Sequence, residues 1–183
     1  MILLFQEGPL LKILVIYYSL TGKSEAVARG IAHALDADLF RVEASSPERV
    51  LSINTFRVGF SSRVMHTSVS NLRRRRTQLK VPRYDFKKYG SLIVVTTVWG
   101  AFFPPAMNTF LELNPFKGKC VGFVALAPPF STAHGLLDYA EAHLTKVDAN
   151  LIFRTEIRLF QQSKKQLEMK GRQLGRIIAP RLS

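Results

Sequence analysis

The sequence is poor in cysteine and in acidic residues. Its only cysteine is Cys120, so no internal disulfide is possible, and this fits a protein of a reducing compartment. Cys120 stands in an apolar run, where a buried strand residue is a better interpretation than a nucleophile. Asp and Glu number 13 against 26 Lys and Arg, which gives a formal net charge of +13. Such a surface attracts phosphate-rich or acidic partners.

Common nucleotide-binding and catalytic motifs are also missing. The triplet GKS at 22–24 suggests an ATP or GTP loop, but that motif needs a glycine where Tyr17 stands. A dinucleotide fingerprint fails because residues 17–29 contain one glycine. We see no Ser/His/Asp or Cys/His triad, and no carboxylate pair for acid–base chemistry. The sequence therefore predicts no catalytic residue of these kinds.

The four histidines do not form a metal motif. They lack the mutual spacing and acidic neighbours of a metal site, so we predict no metal. One of them, His134, falls on a predicted ligand loop, where it is either a surface residue or a proton donor to a ligand. The histidines are His33, His66, His134 and His143.

The chain reads as one domain with a short extension. Residues 1–10 are apolar but contain Gln6 to Pro9 and lack a basic start and a cleavage-type site, so we expect an N-terminal extension rather than an export signal. No stretch of the sequence, residues 1–10 included, predicts a transmembrane helix. We expect a single domain over 11–183, with a basic segment at 57–88, in the cytoplasm.

Strand and helix patterns alternate along that domain. Continuous apolar runs of strand length predict buried parallel strands, and apolar residues at helical spacing predict the helices between them. The predicted strands are 11–17, 37–44, 91–98, 119–127 and 150–160. The predicted helices follow Gly22, begin at Ser46, and span 104–113, 135–144 and 164–178. Five such pairs indicate an α/β fold with a parallel sheet covered on both faces.

The junction of the first strand and helix carries a hydroxyl-rich loop, SLTGKS at 19–24. In a parallel α/β sheet, ligands bind beyond the carboxyl ends of the strands. Backbone N–H groups at the start of a helix bind anions, and three hydroxyl side chains in the loop add further hydrogen bonds. The sequence predicts a phosphate site here that does not depend on a lysine. Lys23 could reach the phosphate, but a solvated residue at the helix start is the better interpretation of it.

Three segments in this order resemble the flavodoxin family. SLTGKS is similar to its phosphate loop, and TTVWGAFFPPAMNTFLE at 96–112 is similar to the segment beside its flavin ring. NPFKGKCVGFVALAPPF, which begins at Asn114, is similar to its approach to the third ligand loop. The resemblance spans roughly residues 11–178, with 57–83 outside it.

The resemblance implies a three-layer flavodoxin-like sandwich with strand order 2-1-3-4-5 and a bound flavin mononucleotide (FMN). For Trp99 we favour packing against the flavin ring over the alternative of a core residue, whereas Phe102, Phe103 and Phe130 either rim the flavin or cap the core. The implied FMN-binding residues are Ser19, Leu20, Thr21, Gly22, Lys23, Ser24, Thr96, Thr97, Val98, Trp99, Gly100, Ala127, Pro128 and Phe130.

Three functions remain open on these residues. The first is a flavodoxin-like redox protein that carries electrons between partners. The second is an FMN-dependent quinone reductase or a related oxidase, and the third is a flavin-free binding module that uses its basic face. Between Arg57 and Lys88, ten Lys or Arg stand against one acid, Asp85. This segment is either a solvated surface or a docking site for an acidic redox partner, an anionic membrane or nucleic acid.

Overall fold

The computed structural model describes residues 12–45, 76–80, 85–99, 102–113, 115–129 and 131–182. Within these ranges lie the strands β1 Lys12–Tyr17, β2 Asp38–Arg41, β3 Tyr89–Thr97, β4 Cys120–Ala127 and β5 Asn150–Arg158. The helices are α1 Lys23–Leu35, α2 Pro105–Glu112, α3 His134–Lys146 and α4 Lys164–Ile178. The predicted extension 1–10, the helix predicted from Ser46 and most of the basic segment 57–88 lie outside the described residues.

The sheet has the predicted topology. All five strands run parallel in the order β2-β1-β3-β4-β5. Alternate residues of each strand face opposite sides, so Leu14 and Ile16 of β1 belong to one apolar cluster and Val15 to another. The first cluster includes buried residues of α2 and α3, and the second includes those of α1 and α4. The protein is therefore a three-layer α/β sandwich.

Most element bounds lie within two residues of the predicted ones, and α4 matches its predicted span. The exception is β2, which ends at Arg41 although the apolar pattern continues to residue 44. After Arg41, the N–H of Val42 still donates to the carbonyl oxygen of Tyr17 at 2.8 Å, and Ala44 then pairs with Leu79 in an isolated antiparallel bridge. Cys120 is the first residue of β4 and is half-buried rather than enclosed.

Helices α1 and α4 pack with their backbones in close contact. A Cβ at Gly171 of α4 would lie 2.3 Å from the carbonyl oxygen of Val27, and one at Gly30 of α1 would lie 2.1 Å from the carbonyl oxygen of Glu168. Both distances are far shorter than any Cβ contact, so both positions require glycine. This contact fixes the start of α4 relative to the start of α1.

Candidate functional site

The loops after β1, β3 and β4 lie side by side at the carboxyl edge of the sheet. The N–H of Tyr18 donates to the carbonyl oxygen of Val95 at 3.3 Å, which joins the ends of β1 and β3. The N–H of Val98 donates to the carbonyl oxygen of Leu126 at 2.9 Å, which joins the ends of β3 and β4. Strand order reverses between β1 and β3, and crevices at such a point bind ligands in open α/β sheets.

The first loop is held in a fixed shape by Gly22. This residue has φ +82°, in the left-handed region where a Cβ is strained, and its N–H donates to Oγ of Ser19 at 3.0 Å. Gly22 is also the N-cap of α1, and no side chain caps that helix end. The first N–H groups of α1 therefore have no side-chain acceptor and carry the positive end of the helix dipole toward this loop.

Ser24, in the first turn of α1, supplies an unusual polar group. Its side chain is fully buried, and its Oγ is the one buried side-chain oxygen or nitrogen without a hydrogen-bond partner in the described part of the chain. An unsatisfied buried hydroxyl costs about 1–3 kcal/mol. A hydroxyl kept at that cost beside an uncapped helix start fits the phosphate of a ligand.

The remaining residues of the loop divide by exposure. Ser19 is buried at 5% exposure, whereas the side chain of Leu20 is 46% exposed. Thr21 is exposed and Lys23 is partly exposed. The hydroxyl of Thr21 is thus accessible to a ligand, and that of Ser19 supports the loop from within.

The second loop presents Trp99 next to the first. The Trp99 and Tyr18 rings meet edge to face with centroids 6.3 Å apart. The backbones of Trp99 and Phe102 exchange two hydrogen bonds, of 2.9 and 3.1 Å. Trp99 is only partly buried, and it packs against the first apolar cluster. Phe103 is 1% exposed and packs against Phe123, which makes it a core residue.

The other predicted residues of this loop lie at the end of β3. Thr96 is fully buried in the strand, and Thr97 is partly buried. Val98 is buried, and its N–H is used by the bond to β4. Gly100 lies outside the described residues.

In the third loop, Ala127 is buried and Pro128 is exposed. Phe130 lies outside the described residues. The loop leads to α3, where the N–H of Ala133 donates to Oε2 of Glu156 at 2.7 Å. His134 is the first residue of α3 and is exposed.

The titratable groups near the first loop include one phenol with a shifted pKa. Burial raises the pKa of Tyr17, and the negative charge of Glu25 raises it further. Tyr17 therefore stays a neutral, protonated phenol at physiological pH. No group of three His, Cys, Asp or Glu among the described residues is placed to hold a metal ion. Nor does any helix among them have the length and apolar character needed to cross a membrane.

Lys164 lies near the first loop, although the sequence did not predict it as a site residue. Lys164, the first residue of α4, extends its side chain over Gly22: a Cβ on that glycine would lie 2.6 Å from Lys164 Nζ. In the sequence, Lys164 is one of several basic residues near the C-terminus. No local pattern shows that it meets the first loop.

These features define a doubly wound α/β protein with a hydroxyl-containing loop and an uncapped helix start at its topological switch point. The family profile named Flavodoxin matches residues 12–170, and the chain belongs to the flavodoxin family. None of the curated proteins is significantly similar to it.

Three solved structures illustrate the similarity. A candidate flavoprotein from Bacteroides eggerthii DSM 20697 has a TM-score of 0.63 and 22% identity, over 85% of this chain and 92% of that one. A flavoprotein from Lactobacillus acidophilus NCFM, in complex with FMN, has a TM-score of 0.59 and 17% identity, over 79% and 92%. Oxidised flavodoxin 1 from Bacillus cereus has a TM-score of 0.56 and 15% identity, over 94% and 99%. At these identities the likeness shows the fold.

Proposed function

We propose that this protein binds one FMN at the edge formed by its first three βα loops and carries electrons between partner proteins. The observation that carries the proposal is the buried, unpartnered Oγ of Ser24 at the uncapped start of α1. Membership of the flavodoxin family and the FMN in the related Lactobacillus protein support the choice of ligand. The single cysteine is consistent with action in the reducing cytoplasm.

The chain's own groups would bind and orient the flavin. Ser24, the hydroxyl of Thr21 and the first N–H groups of α1 would hold the phosphate. The exposed part of the Trp99 ring would pack against the isoalloxazine and shield one side of it from water. Bound FMN supplies one- and two-electron redox chemistry, and the protein positions it.

Flavin titration tests this function. Addition of the purified apoprotein should quench the fluorescence of FMN with 1:1 stoichiometry at micromolar concentration. Thr21→Glu should abolish the quenching because it places a carboxylate beside the phosphate. Thr145→Glu, which makes the same charge change at the exposed end of α3, should leave it intact. A wild-type protein that is colourless and fails to quench FMN would favour the flavin-free binding module.

Turnover assays distinguish the carrier from the quinone reductase or oxidase. The FMN-loaded protein should consume reduced nicotinamide with a quinone or with oxygen only slowly. It should exchange electrons rapidly with a redox protein. Fast steady-state oxidation of the nicotinamide would instead favour an enzyme.

The redox partner that we propose is an acidic protein. The described surface supports this through α4, whose exposed Lys165, Lys170 and Arg176 have no ion pair among the described residues. The basic segment includes a run of four arginines at 73–76. Of these, Arg76 pairs with Glu112 of α2, and residues 73–75 lie outside the described residues. Single-stranded nucleic acid is a weaker proposal, because residues 71–83 contain no aromatic side chain for base stacking. An anionic membrane is the other alternative.

A triple substitution tests the partner proposal. Arg73→Gln, Arg74→Gln and Arg75→Gln together remove three charges and keep the Arg76 ion pair. Electron transfer with an acidic ferredoxin should slow at low salt, and its dependence on ionic strength should flatten. FMN binding should be unchanged. If neither the rates nor binding to anionic vesicles and DNA change, this part of the basic segment is a solvated surface only.

A further inference from the structure

Lys164 brings a positive charge to the first loop from the far end of the chain. Its Nζ and Cε would lie 2.6 and 2.9 Å from a Cβ on Gly22, so the end of its side chain covers the glycine. Gly22 is the N-cap of α1 and the turn residue of the loop that contains Ser24. The ammonium group therefore lies at the same helix start that offers free N–H groups and an unpartnered hydroxyl.

The position of Lys164 is fixed by the fold. Ser163 and Gln166 form a capping box at the start of α4: the N–H of Gln166 donates to Ser163 Oγ at 3.3 Å, and the N–H of Ser163 donates to Gln166 Oε1 at 2.8 Å. The close approach of Gly171 to Val27 holds the same helix against α1. The stem of Lys164 thus starts from a well-defined point beside the loop.

No carboxylate neutralises this ammonium among the residues that the structure describes. The carboxylates on the adjoining helices pair elsewhere: Glu25 with Arg29 at 2.8 Å, and Glu168 with Arg172 at 2.9 Å. Glu156, at the end of β5, pairs with Arg158 at 2.9 Å. The site therefore combines a positive helix end, a positive side chain and a hydroxyl without a partner, which suits a dianionic phosphate.

We propose that Lys164 donates a charge-assisted hydrogen bond to the phosphate of FMN and so makes the site select FMN over riboflavin. This inference rests on the proposed function. A lysine charge acts on the phosphate alone, because riboflavin has the same ring and the same sugar chain without that group. The selectivity of the site, as well as its affinity, then depends on a residue outside the three βα loops.

Paired titrations with FMN and riboflavin test the role of Lys164. The variant Lys164→Gln should raise the Kd for FMN about tenfold or more, as expected for loss of one charge-assisted hydrogen bond, and leave the Kd for riboflavin unchanged. The Kd for FMN should also become less sensitive to salt than in the wild type. Lys165→Gln removes a neighbouring exposed charge of α4 and should change neither Kd. Lys164→Arg should retain most of the preference for FMN.

The possible outcomes separate the inference from the function. If Lys164→Gln binds FMN as tightly as the wild type, Lys164 is not a phosphate ligand, although FMN binding stands. If both flavins lose affinity equally in Lys164→Gln, the residue supports the loop and does not recognise phosphate. A wild type that binds both flavins with equal affinity overturns the selectivity while leaving flavin binding intact. A wild type that binds neither flavin overturns the proposed function and this inference together.

Discussion

Ser19 and Gly22 close the first loop on itself: the N–H of Gly22 donates to Oγ of Ser19 at 3.0 Å. This bond assigns different tasks to the two serines of SLTGKS. Ser19 satisfies a backbone donor of the protein and holds the glycine in its left-handed conformation. Ser24 has no such partner, so its hydroxyl remains for a ligand. The loop therefore takes its shape from a hydrogen bond within the protein.

The two serines should respond to alanine in opposite ways. Ser24→Ala removes an unsatisfied buried hydroxyl, so the free energy of unfolding of the apoprotein should stay the same or rise by up to about 1 kcal/mol. The same variant should bind FMN about tenfold more weakly, since a hydrogen bond to a charged group contributes about 1.5 kcal/mol. Urea denaturation and fluorescence titration give the two quantities.

The matched control is Ser19→Ala. It leaves the N–H of Gly22 without an acceptor and should lower the stability of the apoprotein by about 1 kcal/mol. If Ser24→Ala instead destabilises the apoprotein and leaves FMN affinity unchanged, its hydroxyl has a structural role.

Alanine substitutions at Gly22 and Gly118 can separate the effect of a strained backbone from the effect of a Cβ that meets neighbouring atoms. Both have positive φ, +82° and +68°, but a Cβ on Gly118 would meet nothing within 4 Å, whereas one on Gly22 would displace Lys164. Each Gly→Ala change should cost about 1 kcal/mol of stability from the left-handed backbone. Only Gly22→Ala should weaken FMN binding. Equal FMN affinities for the two variants would show that the space around Gly22 has no part in the site.

Trp99 is expected to contact the flavin ring through its exposed part. Trp99→Ala should weaken FMN binding and shift the visible absorption of the bound flavin, because an apolar aromatic neighbour is replaced by water. The fold should survive, since Trp99 is not fully buried. Phe116→Leu, a change in the core, is the control: it should lower the melting temperature without shifting the spectrum. An unchanged spectrum with lower stability in Trp99→Ala would make Trp99 a core residue.

The contact between α1 and α4 should be intolerant of a methyl group. Gly171→Ala places a Cβ 2.3 Å from the carbonyl oxygen of Val27, and the helices must separate to admit it. We expect a loss of at least about 2 kcal/mol of stability, in the range for overpacking. Gln173→Ala, on the exposed side of α4, should change stability by less than about 0.5 kcal/mol. Similar stabilities for the two variants would contradict the close approach.

The ion pair between Arg76 and Glu112 should make the stability of the protein depend on pH, with a definite sign. The hydrogen bond from Arg76 lowers the pKa of Glu112 from its ordinary value of 4.5. A carboxyl group whose pKa is lowered in the folded state stabilises the protein at pH values above its ordinary pKa. This contribution is lost as the pH falls through the folded-state pKa. Because both side chains are substantially exposed, the contribution at pH 7 should be below about 1 kcal/mol.

Glu112→Gln should therefore destabilise the protein slightly at pH 7 and less at pH 3, as measured by urea denaturation. Arg76→Gln should act similarly, and the double variant should be no worse than the sum of the two. A loss of stability in Glu112→Gln that is as large at pH 3 as at pH 7 would have to arise from contacts other than the ion pair.

The sequence predicted the sheet because each element carries its own local signal. The apolar run before Tyr17 and the regular spacing through 164–178 identify a buried strand and an amphipathic helix without knowledge of their partners. The end of β2 was less predictable. The pairing of Ala44 with Leu79 joins segments that are distant in sequence, and a local pattern does not report it.

The candidate site also has features that a local sequence pattern predicts and features that only the packing determines. The hydroxyls and glycine of SLTGKS are adjacent in sequence, so the loop could be predicted. Sequence could not show which hydroxyl is buried without a partner, because burial depends on the packing of α1. It also could not place Lys164 at Gly22, since that proximity is produced by the contact between two helices at opposite ends of the domain.

That helix contact also bears on the order of events during synthesis. A chain emerging from the ribosome presents β1, the first loop and α1 early, whereas α4 follows only after the other four strands. Until α4 arrives, the backbone of α1 around Val27 and Gly30 lacks its covering helix. The helix start beside the first loop would thus gain its covering helix only after β5 has been made, so this part of the domain completes its packing late in the synthesis of the domain.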